Sequence, residues 1–382
     1  MWVAAIGLFV SSLISPQASD RSLPFSGSGW ELRGDRTRIA KLDGRDVLEV
    51  ETGFAHRPDL RFQDGSVDFD VQVTKRRSFV YAYFRVVADG EREEFYLRPH
   101  KSSLPDAVQY APVWQDSSAW QLHHGPGGTA AVEFEPGAWT HVRIVVQGPR
   151  GALFINDMTK PVLLVPRFSR EPQTGSIALG AFLPANVPGQ GPIARFSNVT
   201  VRPGTVPFDL EAAVNAIPAT PEAATSGVVR AWLVSQSLVP VDADTPSLPK
   251  AEVLGDFKRF EAEPDGLVQL DRYVRVPADR KISAALARVR VRAAQAGLYT
   301  FDLGFSDVAV VFVNGQPIFR GIGSYSFDRP RREGLIGFDN ARLYLPLKAG
   351  NNDVAVLVSD TFGGWGLMGR FTNVTGLTIE TP

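Results

Sequence analysis

The chain has 382 residues, 44% hydrophobic and 21% charged, a balance that excludes wholesale disorder and a multi-spanning membrane protein. Its length exceeds the roughly 250 residues that one hydrophobic core usually supports, so two domains are expected. Lys+Arg 40 against Asp+Glu 41 gives a formal net charge of -1, and without a global positive field no nucleic-acid partner is expected.

Residues Trp2 to Ile14 form an apolar run that leads into Ser15, Pro16, Gln17, Ala18 and Ser19. The run is shorter than the about 20 apolar residues that span a bilayer. It reads as a signal peptide or N-terminal anchor over residues 1–19, although the usual positively charged start is missing. No other transmembrane segment is expected. Cys 0 removes disulfide frameworks, thiolate metal sites, a nucleophilic cysteine and a lipobox. An exported chain without disulfides points to a bacterial periplasm or exterior. There the Asn-Val-Thr sequons at Asn198 and Asn373 read as strand-end residues rather than glycosylation sites.

From Val67 to Val73, apolar Val67, Phe69, Val71 and Val73 alternate with polar Asp68, Asp70 and Gln72, the pattern of a strand with one wet face. Phe79 to Val87 is apolar or aromatic on both faces, which predicts a central strand covered on both sides. Further strands are expected at Glu94 to Arg98, His141 to Gln147, Ala152 to Ile155, Ser176 to Ala181 and Ala194 to Val201. Turn residues at Gly125 to Gly128, Pro136-Gly137 and Pro149 to Gly151 separate them, so residues 20–203 predict a β-sandwich.

The Pro/Ala-rich stretch over residues 204–226 reads as a linker. Phe208, Leu210, Ala213, Val214 and Ile217 would form a short amphipathic helix within it, ended by Pro218. A second sandwich is expected over residues 227–382. Its strands fall at Val228 to Leu238, Gly266 to Leu270, Lys281 to Ala293, Gly297 to Leu303, Val308 to Val313, Gln316 to Phe319, Arg342 to Leu347, Asp353 to Ser359 and Thr372 to Glu380. Asn314-Gly315 is the strongest hairpin signal, because both residues tolerate φ > 0. The halves end alike, in Arg195 to Thr200 and Arg370 to Thr375, which predicts a closing strand in each. The fold class is all-β: two tandem β-sandwich (jelly-roll) domains.

Residues Gly65 to Val201, above all Trp139-Thr140-His141-Val142-Arg143-Ile144-Val145-Val146 and Ala152-Leu153-Phe154-Ile155-Asn156-Asp157, resemble the concanavalin-A-like lectin/glucanase and laminin-G-like superfamily. The resemblance implies a jelly roll that commonly holds glycans. The superfamily includes lectins, hydrolases, lyases and adhesive modules, so fold does not choose among them. Residues Val228 to Thr381 are similar to galactose-binding-domain-like jelly rolls. The carriers are Gly297-Leu298-Tyr299-Thr300-Phe301, Val311-Phe312-Val313-Asn314-Gly315 and Leu345-Pro346-Leu347-Lys348-Ala349-Gly350-Asn351-Asn352.

Sugar recognition places aromatic faces against pyranose rings and polar groups on the hydroxyls. The segment from Glu94 to Gly125 concentrates such residues, and Arg98, His100, Gln109, Tyr110, Trp114, Trp120, Gln121 and His123 form the first candidate ligand-binding set. The competing reading is a long loop folded over the sandwich with the tryptophans as its own small core. Trp365, within Phe362-Gly363-Gly364-Trp365-Gly366, is either a sugar-stacking platform or a plug for the open end of the second sandwich. Arg329, Arg331 and Arg332 with Asp328 read as a solvated turn.

A glucanase needs two opposed carboxylates. Glu91, Glu93 and Glu94 come closest, yet the Glu-x-Asp-x-x-Glu run of retaining glucanases is absent, and the three read as a solvated charged turn. Gln121-Leu122-His123 mimics the Gln-x-His of alginate lyases without their other strands. His123 and His124 would point apart on a strand and make poor joint ligands, and no metal or other cofactor is expected. Two function classes stay open: a non-catalytic glycan-binding or adhesive protein of the cell envelope, and a glycan-active hydrolase or lyase whose N-terminal sandwich is catalytic. They differ in whether Glu93 or Glu94 lies beside His100 or His123 in one groove. The oligomeric state is not legible.

Overall fold

The computed structural model describes residues 20–204, 208–218, 226–240, 247–276, 283–325 and 333–380. The leader at 1–19 and the basic cluster at Asp328 to Arg332 lie outside them.

Residues 20–203 form one 14-stranded antiparallel sheet that curls into two layers. The curl depends on the 18-residue strand Arg45–Phe62. Its first half pairs with Ala194–Pro203, and its second half pairs with Gly175–Phe182. Gly53 sits at the change of partner with φ 132. A Cβ there would lie 2.2 Å from the Arg33 carbonyl and 2.3 Å from Thr37 Oγ1, so only glycine lets the strand cross between layers. One layer continues through Gly65–Val73 and Trp139–Gln147, the other through Phe79–Ala88, Glu91–Leu97 and Val108–Trp114. Alternate residues such as Val67, Phe69, Val80, Ala82, Phe84 and Phe95 meet between the layers in one buried core.

Residues 226–380 hold an eight-stranded and a four-stranded sheet. Phe301, Leu303, Val311, Val356 and Trp365 pack between them. Among the described residues no strand pairing joins this part to residues 20–203. Asn314 (φ 50) and Gly315 (φ 83) turn the hairpin between Val308–Val313 and Gln316–Ile322, both left-handed as the two-residue loop requires.

The short helix spans Leu210–Asn215, and the Asp209 side chain caps it by accepting from the Ala212 N–H at 2.9 Å. Leu210, Phe208 and Val214 cover Val145, Ala152 and Phe154 on the outside of the first sandwich.

Three expectations are corrected. Glu91, Glu93 and Glu94 are not a solvated turn: they open the strand Glu91–Leu97, with Glu93 0% and Glu94 1% exposed. The two alike endings differ in structure, because Arg195 to Thr200 lies inside Ala194–Pro203 whereas Thr372 to Gly376 is a bend between Gly366–Phe371 and Leu377–Glu380. Phe79–Ala88 is fully buried on one face and only partly covered on the other. Val80, Ala82 and Phe84 enter the core, while Phe79, Tyr81 and Tyr83 are half-buried on the other side.

Candidate functional site

The structure gathers most of the segment from Arg98 to His123 into a seam with the second sandwich. Gln109 is 1% exposed. Its Oε1 accepts from the Tyr96 hydroxyl at 2.6 Å and Arg98 Nη2 at 2.7 Å, and its Nε2 donates to the carbonyls of Trp120 and His123. These bonds shape the loop that crosses the seam. Gln121, wholly buried, accepts the Gly364 N–H at 2.9 Å and donates to Asp307 Oδ1 at 3.4 Å. Asp307 in turn accepts from the backbone N–H groups of Thr361 and Phe362, each at 2.8 Å, and so fixes the loop that receives Gln121.

The rest of the seam follows the same logic. The Gln115 amide donates to the carbonyls of Asp271 and Val274 and accepts from the Val276 N–H. His123 Nε2 meets Gln269 Oε1 at 3.2 Å, and Lys101 pairs with Glu333 at 2.6 Å. Ala119 and Leu122 pack with Leu267, Ile336 and Met368 in a small apolar cluster. Trp120 stacks edge-on against Tyr325, and Trp114 lies under Arg170, whose guanidinium carbon is 3.7 Å from the ring centroid.

The other four predicted residues lie apart from the seam. Tyr110 is in the first core, where its hydroxyl donates to Glu93 at 2.6 Å. Trp365 is 1% exposed and donates its indole N–H to the Val358 carbonyl at 3.2 Å, so its place is that of the plug. His100 packs edge-on against Phe79, and burial lowers its pKa to about 4. Arg98 is buried with Gln109 and Asp106.

Glu93 and Glu94 are consecutive on a strand and therefore point to opposite faces. Glu93 faces the core, and burial raises its pKa to about 7 against the opposing hydrogen bond from Tyr110. Glu94 faces outward, where burial raises its pKa while Arg92 and Ser118 pull it down. The Ser118 hydroxyl donates to Glu94 at 2.6 Å, and Arg92 Nε is 3.5 Å from its other oxygen. Neither carboxyl bonds or pairs with His100 or His123; their partners are Tyr110, Ser118 and Arg92.

Among the described residues, the outer face that carries Glu94 also carries the longest run of aromatic contacts outside the cores. Cross-strand register explains it. Tyr81 lies opposite Tyr96 and Gly180, Tyr83 opposite Glu94 and Ala178, and Phe79 opposite Phe182. Phe54 and His56 lie opposite Gly180 and Ala178 on the next strand. Small residues in the middle strand thus leave the floor low, with rings on both sides. Tyr81 and Tyr83 stack at 5.5 Å, Tyr81 meets Tyr96 at 5.6 Å, Phe54 meets Tyr83 edge-on at 6.0 Å, and Phe79 stacks on Phe182 at 6.3 Å. Arg92 lies 4.3 Å from the Tyr83 centroid and Arg33 lies 5.9 Å from the Phe54 centroid. Phe54, Phe79, Tyr81 and Tyr83 are half-buried and Phe182 is 45% exposed.

Sequence reasoning passed over this face. The signal was present in the alternation Phe79, Tyr81, Tyr83 against Val80, Ala82, Phe84, in which the outer set holds the two hydroxylated rings. The opposite outer face of the same sandwich bears a cavity of about 230 Å³ beside Gln72, Lys75, Pro136 and Arg195. Arg195 there is committed to Glu49 and Gln72. Among the described residues no group of three or more His, Cys, Asp or Glu side chains is placed to hold a metal ion, and no helix is long and apolar enough to cross a membrane.

No protein-family model matches the chain, and no curated protein matches it. Solved structures resemble parts of it. A carbohydrate binding module from Bacillus subtilis shares 13% identity over 45% of this chain and 93% of its own, with a TM-score of 0.32. A Bacillus licheniformis β-glucanase shares 12% over 49% and 98%, with a TM-score of 0.37. A family 35 carbohydrate binding module from an environmental isolate shares 25% over 26% and 72%, with a TM-score of 0.21. With TM-scores this low, these likenesses decide nothing about activity.

Proposed function

We propose that the protein is an exported, non-catalytic carbohydrate-binding or adhesive protein of the bacterial cell envelope, and that it holds its glycan on the outer aromatic face of the first sandwich. The observation that supports this reading is the set of part-exposed rings Phe54, Tyr83, Tyr81, Phe79 and Phe182, in which buried Tyr96 joins Tyr81 to Phe79. Rings of this kind are kept from the core by strand alternation, not by lack of apolar character. Their faces suit the apolar faces of pyranose rings, and the nearby guanidinium and imidazole groups of Arg92 and His56 suit hydroxyls.

The test is a glycan array with the full chain, followed by calorimetry of any hit with Tyr81→Ala and Tyr83→Ala. Each variant is expected to lose about tenfold in affinity, the scale of one lost aromatic contact, with an unchanged circular dichroism spectrum. An empty array, or hits bound equally by both variants, sinks the proposal. New reducing ends released from a bound glycan would instead make the protein an enzyme.

A further inference from the structure

The outer face of the four-stranded sheet presents a second platform, on different strands and in the other sandwich. Gly297–Ser306 pairs with the edge strand Ala341–Leu347 in a register that sets Leu298 opposite Pro346, Thr300 opposite Tyr344 and Asp302 opposite Arg342. The alternate residues Phe301, Leu303, Leu343, Leu345 and Leu347 enter the core, so these three pairs face outward. Leu298 is 71% and Tyr344 62% exposed, and Pro346 is exposed beside them. These are the two most exposed large hydrophobic side chains among the described residues.

At the other end of the row, Asp302 is 2% exposed and takes both Arg342 Nε at 2.7 Å and Arg342 Nη2 at 3.2 Å, together with Arg370 Nη2 at 3.0 Å. This grip holds the guanidinium of Arg342 in a fixed orientation although its side chain is 61% exposed. Among the described residues Arg342 Nη1 makes no hydrogen bond, since the contacts to Asp302 use Nε and Nη2. A guanidinium that is preset and only partly used is suited to a carboxylate. From Arg342 to Pro346 the platform runs about 13 Å along the strand, at about 3.3 Å per residue.

We infer that this face binds a uronic-acid-containing polysaccharide, with a pyranose ring stacked on Tyr344 beside the Leu298–Pro346 pair and a sugar carboxylate on Arg342. A protein partner suits it less well. Three apolar side chains, even at about 200 Å² each, supply less than the about 800 Å² per partner that a stable interface buries. One or two sugar rings need no more than this row offers.

Affinity electrophoresis of the full chain at physiological salt, where diffuse charge attraction is screened, tests it with polygalacturonate and alginate in one set of gels and the neutral glucan laminarin in another. The wild type is expected to be retarded by the polyuronates. Tyr344→Ala is expected to weaken that retardation about tenfold, Arg342→Gln to weaken it for polyuronates, and Leu104→Ser, at an exposed apolar residue of the first sandwich, to leave it unchanged. The aromatic face of the first sandwich is read by its own variants on the array, so either site can fail alone. The inference is overturned by no retardation of the wild type by polyuronates, by equal retardation with laminarin, by an unaffected Tyr344→Ala protein, or by a dimer on size exclusion that Tyr344→Ala abolishes.

Discussion

Replacing Glu93 with glutamine is expected to change how stability depends on pH. Glu93 is wholly buried, and one of its oxygens accepts the Tyr110 hydroxyl at 2.6 Å. Burial moves its pKa from 4.5 to about 7. Between those values the native state keeps a proton that the unfolded chain has lost, so stability falls as pH rises through this window and levels off above it. At about 1.4 kcal/mol for each tenfold change in proton affinity, the interval corresponds to about 3 kcal/mol. Glutamine keeps an acceptor for Tyr110 and carries no titration. Urea unfolding of wild type and Glu93→Gln at several pH values from 4.5 to 8 isolates the effect as a difference. The wild type should lose about 3 kcal/mol relative to the variant across that range, most of it below pH 7. A difference that stays constant with pH would show that Glu93 is charged in the fold and would refute this reasoning.

Two further substitutions probe other parts of the molecule. Gln121→Ala strands the Gly364 N–H in the seam and removes one of two donors to Asp307 Oδ1, the Ser306 hydroxyl remaining as the other, at a cost of about 1–3 kcal/mol. It should expose the seam to limited proteolysis, and an unchanged cleavage pattern would count against the role given to Gln121. His141 sits between Asp68 and Asp70, with Nδ1 2.7 Å from Asp70 and Nε2 3.4 Å from Asp68. The hydrogen bond to Asp68, aided by Asp70, raises its pKa above 6.5. The stability it adds is therefore complete below pH 6.5 and lost as pH rises through its folded value. The advantage of wild type over His141→Gln in thermal melts should shrink from pH 6 to 8.5, and an advantage that grows would reverse the assignment.

Much of the all-β fold is legible in the sequence because local patterns encode it. Val67 to Val73 alternates and forms most of Gly65–Val73, and Asn314-Gly315 makes its hairpin from two residues that accept positive φ. What the sequence hides depends on partners far along the chain. Glu91 to Glu94 looks solvated by composition, but Tyr110, Arg85 and Arg170 surround it only after folding. The segment around Gln121 is rich in residues that bind sugars and equally rich in residues that bind another domain. Its chief partner, Gly364, is 243 positions away, beyond the reach of any periodicity. Tyr344 shows the same limit in reverse, since alternation assigns it to the outer face without indicating that nothing covers it.

The seam also changes the meaning of the stretch between the sandwiches. With Gln115, Gln121, His123 and Lys101 gripping the second sandwich directly, the covalent connection acts as a tether of secondary importance. A chain nicked there is expected to remain a non-covalent pair, and the two halves should find each other when produced as separate polypeptides. Proteolysis between the sandwiches would then leave the assembly in one piece.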